Sequence, residues 1–208
     1  MNDFIEIYDY YEPEKDCENT IEIFEKFAND KPSRSAGLSV FNNNRQKICT
    51  QSTFNLNEDL IINAYIYKYV KTGLKSYVKK YDFLEEFFDK PWCRIAPHYN
   101  VQKYDGEKEG YFSLHNEQSG MYPYRMLVWM IYLNDAVSGT EFPYQKRTVT
   151  PKMGRTVIWP ASWTHPHKGV TPNIGIKYIA TGWFYYLPKG EPKFDGHHYD
   201  ENIQEIVV

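Results

Sequence analysis

The chain has 208 residues, which suits one compact domain with a substantial core. Its formal net charge of −3, with lysines scattered along the sequence, argues against a nucleic-acid partner and against binding to an anionic membrane. Its three cysteines are far apart and include no C-x-x-C pair, which argues against a disulfide framework and a thiolate zinc site.

The first 91 residues carry helical and hairpin patterns. They lack a basic start followed by an apolar run, and the chain has no stretch near the roughly twenty apolar residues of a membrane span. We therefore expect a soluble, cytoplasmic protein without a signal peptide. Apolar spacing predicts helices over Asp16–Asn29, from Asn57 to about Lys80 with Asn57 as the cap, and over Phe83–Asp89. The segment Ala36–Phe54 predicts a β-hairpin.

From Trp92 onward, short strand patterns alternate with turn residues. The predicted strands are Cys93–Tyr104, Gly110–His115, Arg125–Leu133, Thr140–Phe142, Arg147–Thr150, Thr156–Trp159, His165–Val170 and Lys177–Tyr186. Short strands at this spacing are typical of a two-sheet jelly roll, a fold that can hold a ligand between its sheets. We expect a mainly β protein with N-terminal helices, as a single domain over 1–208. Its parts are an N-terminal support (1–91), a core (92–187) and a peripheral tail (188–208).

Two short motifs offer metal ligands. His115 and Glu117 stand two positions apart, so an extended backbone would point both side chains to one side and Asn116 to the other. A third ligand must come from another strand, and His165 and His167 offer it with the same spacing. Two imidazoles and one carboxylate are the ligand set that holds non-haem Fe(II) and leaves coordination positions open. Taken singly, each motif could equally be a hydrogen-bonded strand end or a capped loop.

Of the two downstream histidines, His167 is the favoured ligand. Gly169 follows it and allows the backbone to approach a ligand or a neighbouring strand closely. His165 is then expected to support the ligands or to line the mouth of the pocket. Ten positions after His167, Lys177 begins an alternating strand pattern. A lysine that points into a jelly-roll interior is costly unless an anion pairs with it, which favours a clamp for a dianionic cosubstrate over a surface lysine.

The stretches LHNEQ, HPHKG and IKYIATGWF resemble motifs of the Fe(II)- and 2-oxoglutarate-dependent dioxygenase superfamily, in particular its prolyl 4-hydroxylase-like branch. That family combines a double-stranded β-helix core with H-x-D/E, a distal histidine in H-x-G, and a lysine or arginine further along. The resemblance covers residues 93–186. It implies that His115, Glu117 and His167 are the catalytic iron ligands. It also implies that Lys177 binds the distal carboxylate of 2-oxoglutarate.

Two further stretches are similar to the same family. QKYDGEKEGYFSLH resembles the approach to the first ligand, which implies that Tyr104 lies near the cosubstrate. VWMIYLND resembles the strand whose tyrosine reaches the distal carboxylate, which implies that Tyr132 donates a hydrogen bond there. The implied cofactors are Fe(II) and 2-oxoglutarate as cosubstrate, with ascorbate as a further candidate. The implied reaction is hydroxylation by O2, with succinate and CO2 as co-products.

The sequence departs from this branch at Glu117, where aspartate is usual, and the departure bears on the prolyl substrate more than on the oxygenase chemistry. A cupin-like metal- or sugar-binding jelly roll is an alternative. Cupins, however, place H-x-H in the first motif, whereas this chain has it in the second, at His165 and His167. A catalytically silent family member is another alternative. The expected partner is a peptide, a protein or a small molecule, with a peptidyl proline as the leading candidate, and no nucleic acid or membrane. We expect substrate contacts from Arg34–Ser52 and Glu117–Tyr124; the oligomeric state is left open.

Overall fold

The computed structural model describes residues 2–30, 39–41, 44–89, 93–170 and 174–186. The helices are α1 (Glu14–Asp30), α2 (Leu60–Lys80) and α3 (Glu85–Asp89), with a 3-10 turn at Asp82–Leu84. The strands are β1 (Glu6–Tyr8), β2 (Ser39–Phe41), β3 (Asn44–Ile48), β4 (Thr50–Asn55), β5 (Cys93–Ile95), β6 (His98–Asp105), β7 (Gly110–Tyr111), β8 (Arg125–Tyr132), β9 (Thr140–Phe142), β10 (Arg147–Val149), β11 (Thr156–Pro160), β12 (Lys168–Gly169) and β13 (Ile176–Tyr186).

Seven antiparallel strands form the main sheet in the order β1-β11-β8-β13-β6-β4, with β5 paired to the far end of β13. Successive side chains along each strand point to opposite faces of this sheet. On β8, Trp129 and Ile131 join the apolar cluster that packs under α1 and α2, whereas Val128 and Met130 join a second cluster on the opposite face. The helices therefore cover one face of the sheet and leave the other for the second layer.

Two three-stranded sheets, β10-β9-β12 and β2-β3-β7, form the second layer. An isolated antiparallel bridge pairs His115, just after β7, with His167, just before β12. Gly169 lies against β7, and a Cβ atom at this glycine would stand 3.4 Å from the carbonyl oxygen of Tyr111. The two short sheets meet here, and the bridge joins them opposite the open face of the main sheet.

The predicted class, mainly β with N-terminal helices and a jelly-roll core, is confirmed. The hairpin strands are present as β2 and β3, although residues 36–38 and 42–43 of the predicted segment lie outside the described residues, as does the predicted tail over 188–208. Within the part of the chain that the structure describes, no helix has the length and apolar character that crossing a bilayer demands.

Several predicted boundaries were wrong. Helix α2 begins at Leu60, not at Asn57, because the Asn55 side chain accepts the Asn57 N–H (2.8 Å) and the Asp59 side chain accepts the Asn55 N–H (2.6 Å). These bonds hold a turn where the cap was expected. Strand β1 was missed, and the predicted strand Cys93–Tyr104 is divided into β5 and β6.

Candidate active site

His115, Glu117 and His167 come together at the junction of the two short sheets. One ligand atom from each lies within 4.8 Å of the others. Glu117 Oε1 is 3.5 Å from His115 Nε2 and 3.6 Å from His167 Nε2. His165 is not part of this group, so the structure brings together the three residues that the sequence favoured as metal ligands.

Backbone pairing brings the two histidines together. The His115 N–H donates to the His167 carbonyl at 3.0 Å, and the His167 N–H donates to the His115 carbonyl at 2.8 Å. Such a reciprocal pair places the two side chains on the same face of the ladder. The Glu117 N–H donates to the carbonyl of Ala161 at 3.1 Å. This bond holds Glu117 in place two positions after His115.

The outer ring nitrogens determine which tautomer each histidine takes. His115 Nδ1 lies 3.0 Å from the carbonyl oxygen of Ser113, and His167 Nδ1 lies 3.1 Å from that of His165. A carbonyl can only accept, so Nδ1 carries the proton in both neutral rings and Nε2 keeps its lone pair. Burial lowers the pKa of His115 and favours this neutral form. Both lone pairs are thus held on the side where Glu117 lies.

Glu117 is held by two donors on its other oxygen. Arg125 Nη1 donates to Oε2 at 2.8 Å, and the indole N–H of Trp183 donates to the same atom at 3.1 Å. The guanidinium carbon of Arg125 also lies 3.6 Å from the centre of the Trp183 ring, which restricts the arginine to this position. Burial raises the pKa of the Glu117 carboxyl, but hydrogen bonds and positive charge from the imidazoles in their protonated form outweigh burial and hold that pKa well below its usual range. A metal cation at Nε2 would take the place of that proton. The result is a carboxylate with Oε1 free to bind a cation.

This donor set fits a divalent transition metal. Two neutral imidazole nitrogens and one carboxylate oxygen converge, and their remaining polar atoms are bonded to partners that fix their orientation. Borderline nitrogen ligands with one hard oxygen suit Fe(II), and occupied outer atoms are typical of genuine metal sites. Aromatic rings close the site on the ligand side, with Tyr111 stacked on His115 at 3.6 Å between ring centres and Trp159 edge-on to His167 at 5.1 Å.

The three residues open into a cavity of about 270 Å³ between the main sheet and the second layer. Lys177 lines the same cavity from β13, opposite the register position of Tyr104 on β6. Only 5% of Lys177 is exposed, and its Nζ donates to the carbonyl of Ser138 at 2.9 Å. Burial lowers the pKa of the Lys177 ammonium to about 8. Among the described residues no carboxylate pairs with this ammonium, so the cavity offers a buried positive charge to an anionic ligand.

The two predicted cosubstrate tyrosines differ in position. Tyr104 lines the cavity, with the Lys177 ammonium 5.1 Å from its ring centre and its hydroxyl donating to Gln102 at 2.6 Å. Tyr132 is fully buried outside the lining, and its hydroxyl is 2.7 Å from that of Thr140. Thr140 lines the cavity and Tyr132 does not, so direct contact between Tyr132 and the cosubstrate stays a prediction.

His165 faces away from the other ligands. Its Nε2 lies 2.8 Å from the backbone carbonyl of Asp3, and its Nδ1 lies 2.8 Å from the hydroxyl of Thr164. Both ring nitrogens are thus occupied by partners outside the cavity. The structure assigns His165 to the packing of the N-terminal segment, and its backbone carbonyl to the orientation of His167.

Sequence reasoning missed the partners of these residues. Arg125 and Trp183 bind Glu117 from strands β8 and β13, which pair in the main sheet, and Lys47 and Tyr111 line the cavity from β3 and β7. The alternation of side chains along β13 offered one signal. Trp183 and Lys177 are an even number of positions apart, so both should point to the same face of the sheet. Arg125 offered no such signal, since its role depends on a tertiary pairing.

Comparison with known proteins supports the same interpretation. Residues 99–185 match the 2OG-Fe(II) oxygenase superfamily model, whereas no curated protein sequence matches the chain. The viral collagen prolyl hydroxylase of Paramecium Bursaria Chlorella virus-1, solved with 2OG, is similar at TM-score 0.62 and 18% identity, over 89% of this chain and 98% of that one. A Pseudomonas putida prolyl-4-hydroxylase is similar at TM-score 0.63 and 13% identity, over 89% and 94%.

A third similar structure is a prolyl hydroxylase from Trichoplax adhaerens in complex with a hypoxia inducible factor peptide fragment. Its TM-score is 0.60 at 15% identity, over 89% of this chain and 84% of that one. The resemblance to the superfamily is confirmed over residues 99–185, and Fe(II) and 2-oxoglutarate are the cofactors of that superfamily. At these identities the neighbours establish a shared fold and leave the substrate open.

Proposed function

We propose that this chain, whose residues 99–185 match the 2OG-Fe(II) oxygenase superfamily, is an Fe(II)- and 2-oxoglutarate-dependent dioxygenase that hydroxylates its substrate. The observation that carries the proposal is one cavity with a convergent His-Glu-His set and a buried lysine that has no carboxylate partner among the described residues. A metal site alone would support many functions. A buried cation in the same cavity adds a place for a dicarboxylate.

His115, Glu117 and His167 would hold Fe(II) through the two Nε2 atoms and Oε1. When bound, the iron and 2-oxoglutarate would supply oxygen activation and oxidative decarboxylation, with succinate and CO2 as co-products. The protein's own part is to orient both imidazoles, through the Ser113 and His165 carbonyls, so that Nε2 of each ring faces Glu117. Each ring keeps its Nδ1 proton on a carbonyl, which leaves Nε2 as the atom that binds the metal.

Lys177 would bind the distal carboxylate of 2-oxoglutarate through a charge-assisted hydrogen bond. Its ammonium donates one hydrogen to Ser138 and keeps two for the ligand. Tyr104 lies beside the ammonium and would shield this ion pair from water. Tyr132 would act through Thr140, whose hydroxyl lines the cavity, by holding that hydroxyl in place.

The substrate class is part of the proposal. A peptidyl proline is the leading candidate because the similar solved structures are prolyl hydroxylases. The rim of the cavity includes Tyr122 and Lys168, and the loop after Glu117 carries the exposed side chains of Met121 and Tyr124. These side chains would meet the substrate as it enters.

The test of the function is 2-oxoglutarate turnover by the purified protein with Fe(II) and O2. We expect succinate in amounts that match the 2-oxoglutarate consumed, and loss of this succinate in His167→Ala. His165→Ala is the matched control and should keep most of the turnover. A folded, iron-loaded protein that forms no succinate would leave the catalytically silent or cupin-like alternative, and greater loss in His165→Ala would contradict the choice of ligand.

A further inference from the structure

Lys47 brings a second ammonium to the cavity. It lies on β3 opposite Tyr111 of β7, and its Nζ is 5.5 Å from the centre of the Tyr111 ring. The Tyr111 ring also stacks on His115, so one aromatic ring contacts both Lys47 and a metal-ligand candidate. The Nζ also donates to Gln51 Oε1 at 2.6 Å. Lys47 thus lines the cavity beside Tyr111, the residue that stacks on His115, whereas Lys177 contacts the Ser138 carbonyl.

The other cations around the cavity have acidic partners or an assigned role. Arg125 is paired with Glu117 at 2.8 Å, and Lys168 lies 3.5 Å from Glu141. Lys177 would bind the cosubstrate. In the described part of the chain, Lys47 has no carboxylate within ion-pair distance, and its contacts include the Gln51 amide oxygen, the face of the Tyr111 ring and the Cys49 side chain.

A row of polar side chains connects the two lysines across the floor of the cavity. Gln51 Oε1 accepts from both Lys47 and the Gln102 amide, and Gln102 Oε1 accepts from the Tyr104 hydroxyl beside Lys177. This row fixes the distance between the two ammonium groups. An apolar floor would suit an uncharged substrate better, whereas this floor provides fixed polar atoms along the length of the cavity.

Charge balance indicates what Lys47 is for. With Fe(II) and the 2-oxoglutarate dianion in place, their charges cancel, and Glu117 is offset by Arg125. Lys177 and Lys47 would then leave the loaded site positive. Burial lowers the pKa of Lys47, a sign that its charge is held at a cost that a bound anion would relieve.

We propose that Lys47, assisted by Gln51, binds a carboxylate of the substrate. The proposal rests on the proposed function and narrows its substrate to molecules that carry a carboxylate near the oxidised carbon. A free amino acid, a C-terminal residue or an acidic side chain qualifies. An internal prolyl residue in an uncharged peptide segment does not.

The test compares acids with their amides. Protein loaded with Zn(II) and 2-oxoglutarate, which binds without turnover, is titrated with N-acetyl-L-proline, glycyl-L-proline and N-acetyl-L-glutamate, each beside its amide. Binding is followed by saturation-transfer NMR. We expect at least one acid to bind about tenfold or more tightly than its amide, as a charge-assisted hydrogen bond allows. Lys47→Met should remove the preference, and Lys47→Arg should keep it. Lys152→Met, at a lysine that is paired with Asp9 and does not line the cavity, is the control and should also keep it.

Three results would overturn the assignment. Acids and amides could bind alike, no acid could bind at millimolar concentration, or Lys47→Met could weaken 2-oxoglutarate as much as Lys177→Met does. The last result would make Lys47 part of the cosubstrate site. The proposed function can fail independently of this assignment. If acids bind through Lys47 but the protein forms no succinate with Fe(II), the anion site is supported and the oxygenase activity is contradicted.

Discussion

The two ends of the cavity are built differently. At the metal end every ligand is already fixed by a second bond, to Ser113 for one histidine, to His165 for the other, and to Arg125 and Trp183 for Glu117. At the other end the Lys177 ammonium has one carbonyl partner and no counter-ion among the described residues. The metal end is thus preorganised by the protein, whereas the lysine end holds an electrostatic cost that the cosubstrate would remove.

The largest effect is expected at the preorganised end, from Glu117→Gln. The amide keeps the shape but loses the negative charge and presents an N–H₂ group to either Arg125 or the metal. We expect the Fe(II) dissociation constant to rise about a hundredfold or more and succinate formation to fall below detection. Anaerobic equilibrium dialysis measures the first quantity. Unchanged iron affinity would remove Glu117 from the ligand set.

Lys177→Met separates the two ends. It removes the cation and keeps the aliphatic length, so the concentration of 2-oxoglutarate needed for half-maximal turnover should rise about a hundredfold. Iron affinity should stay within about twofold, since no metal ligand contacts this lysine. Parallel losses of both affinities would mean that the two ends are not independent and that Lys177 is structural.

Arg125→Met tests how much of the preorganisation comes from outside the ligand set. Loss of the bond to Oε2 should weaken Fe(II) binding about tenfold to a hundredfold, the range for partners of metal ligands. It should also alter the visible spectrum of the Co(II)-loaded protein, because the carboxylate could then rotate. Arg155→Met is the control, as Arg155 is bonded to Asp9 at the surface. A wild-type spectrum in Arg125→Met would contradict the positioning role.

The smallest effect is a pH dependence at the lysine end, where 2-oxoglutarate affinity and the unfolding free energy should change in opposite directions. Because burial lowers the pKa of Lys177 to about 8, 2-oxoglutarate binding should weaken as the pH rises above this value. The unfolded chain keeps this proton up to its ordinary pKa of 10.5, so the unfolding free energy of the ligand-free protein should rise between these values. Lys177→Met should flatten both dependences. Isothermal titration and urea unfolding across this pH window measure them, and parallel slopes would contradict the assignment.

Local pattern was enough for the fold class and for the first pair of candidate metal ligands. Alternation along β8 and β13 separates core-facing from cavity-facing side chains, and two-residue spacing puts His115 and Glu117 on one side. The same rule could not choose between His165 and His167. The backbone turns at this point, with the His165 N–H bonded to the Ser162 carbonyl, so the two imidazoles diverge although their spacing is two.

Contacts that depend on packing between layers could not be predicted from the sequence. Alternation correctly places Tyr132 on the cavity side of β8, but the depth of that side chain is set by Thr140, which lies on another sheet. Arg125 reaches Glu117 across a loop, and Lys47 reaches the cavity through the pairing of β3 with β7. Each of these positions follows from the register of strands distant in sequence.

The most direct measurement is the visible spectrum of the protein under anaerobic conditions with Fe(II) and 2-oxoglutarate. A site that holds both should show a weak charge-transfer band that saturates with 2-oxoglutarate, at a much lower concentration in the wild type than in Lys177→Met. That result would show that the iron and Lys177 bind the same 2-oxoglutarate molecule. A folded, iron-bound wild-type protein with no band at any 2-oxoglutarate concentration would contradict it.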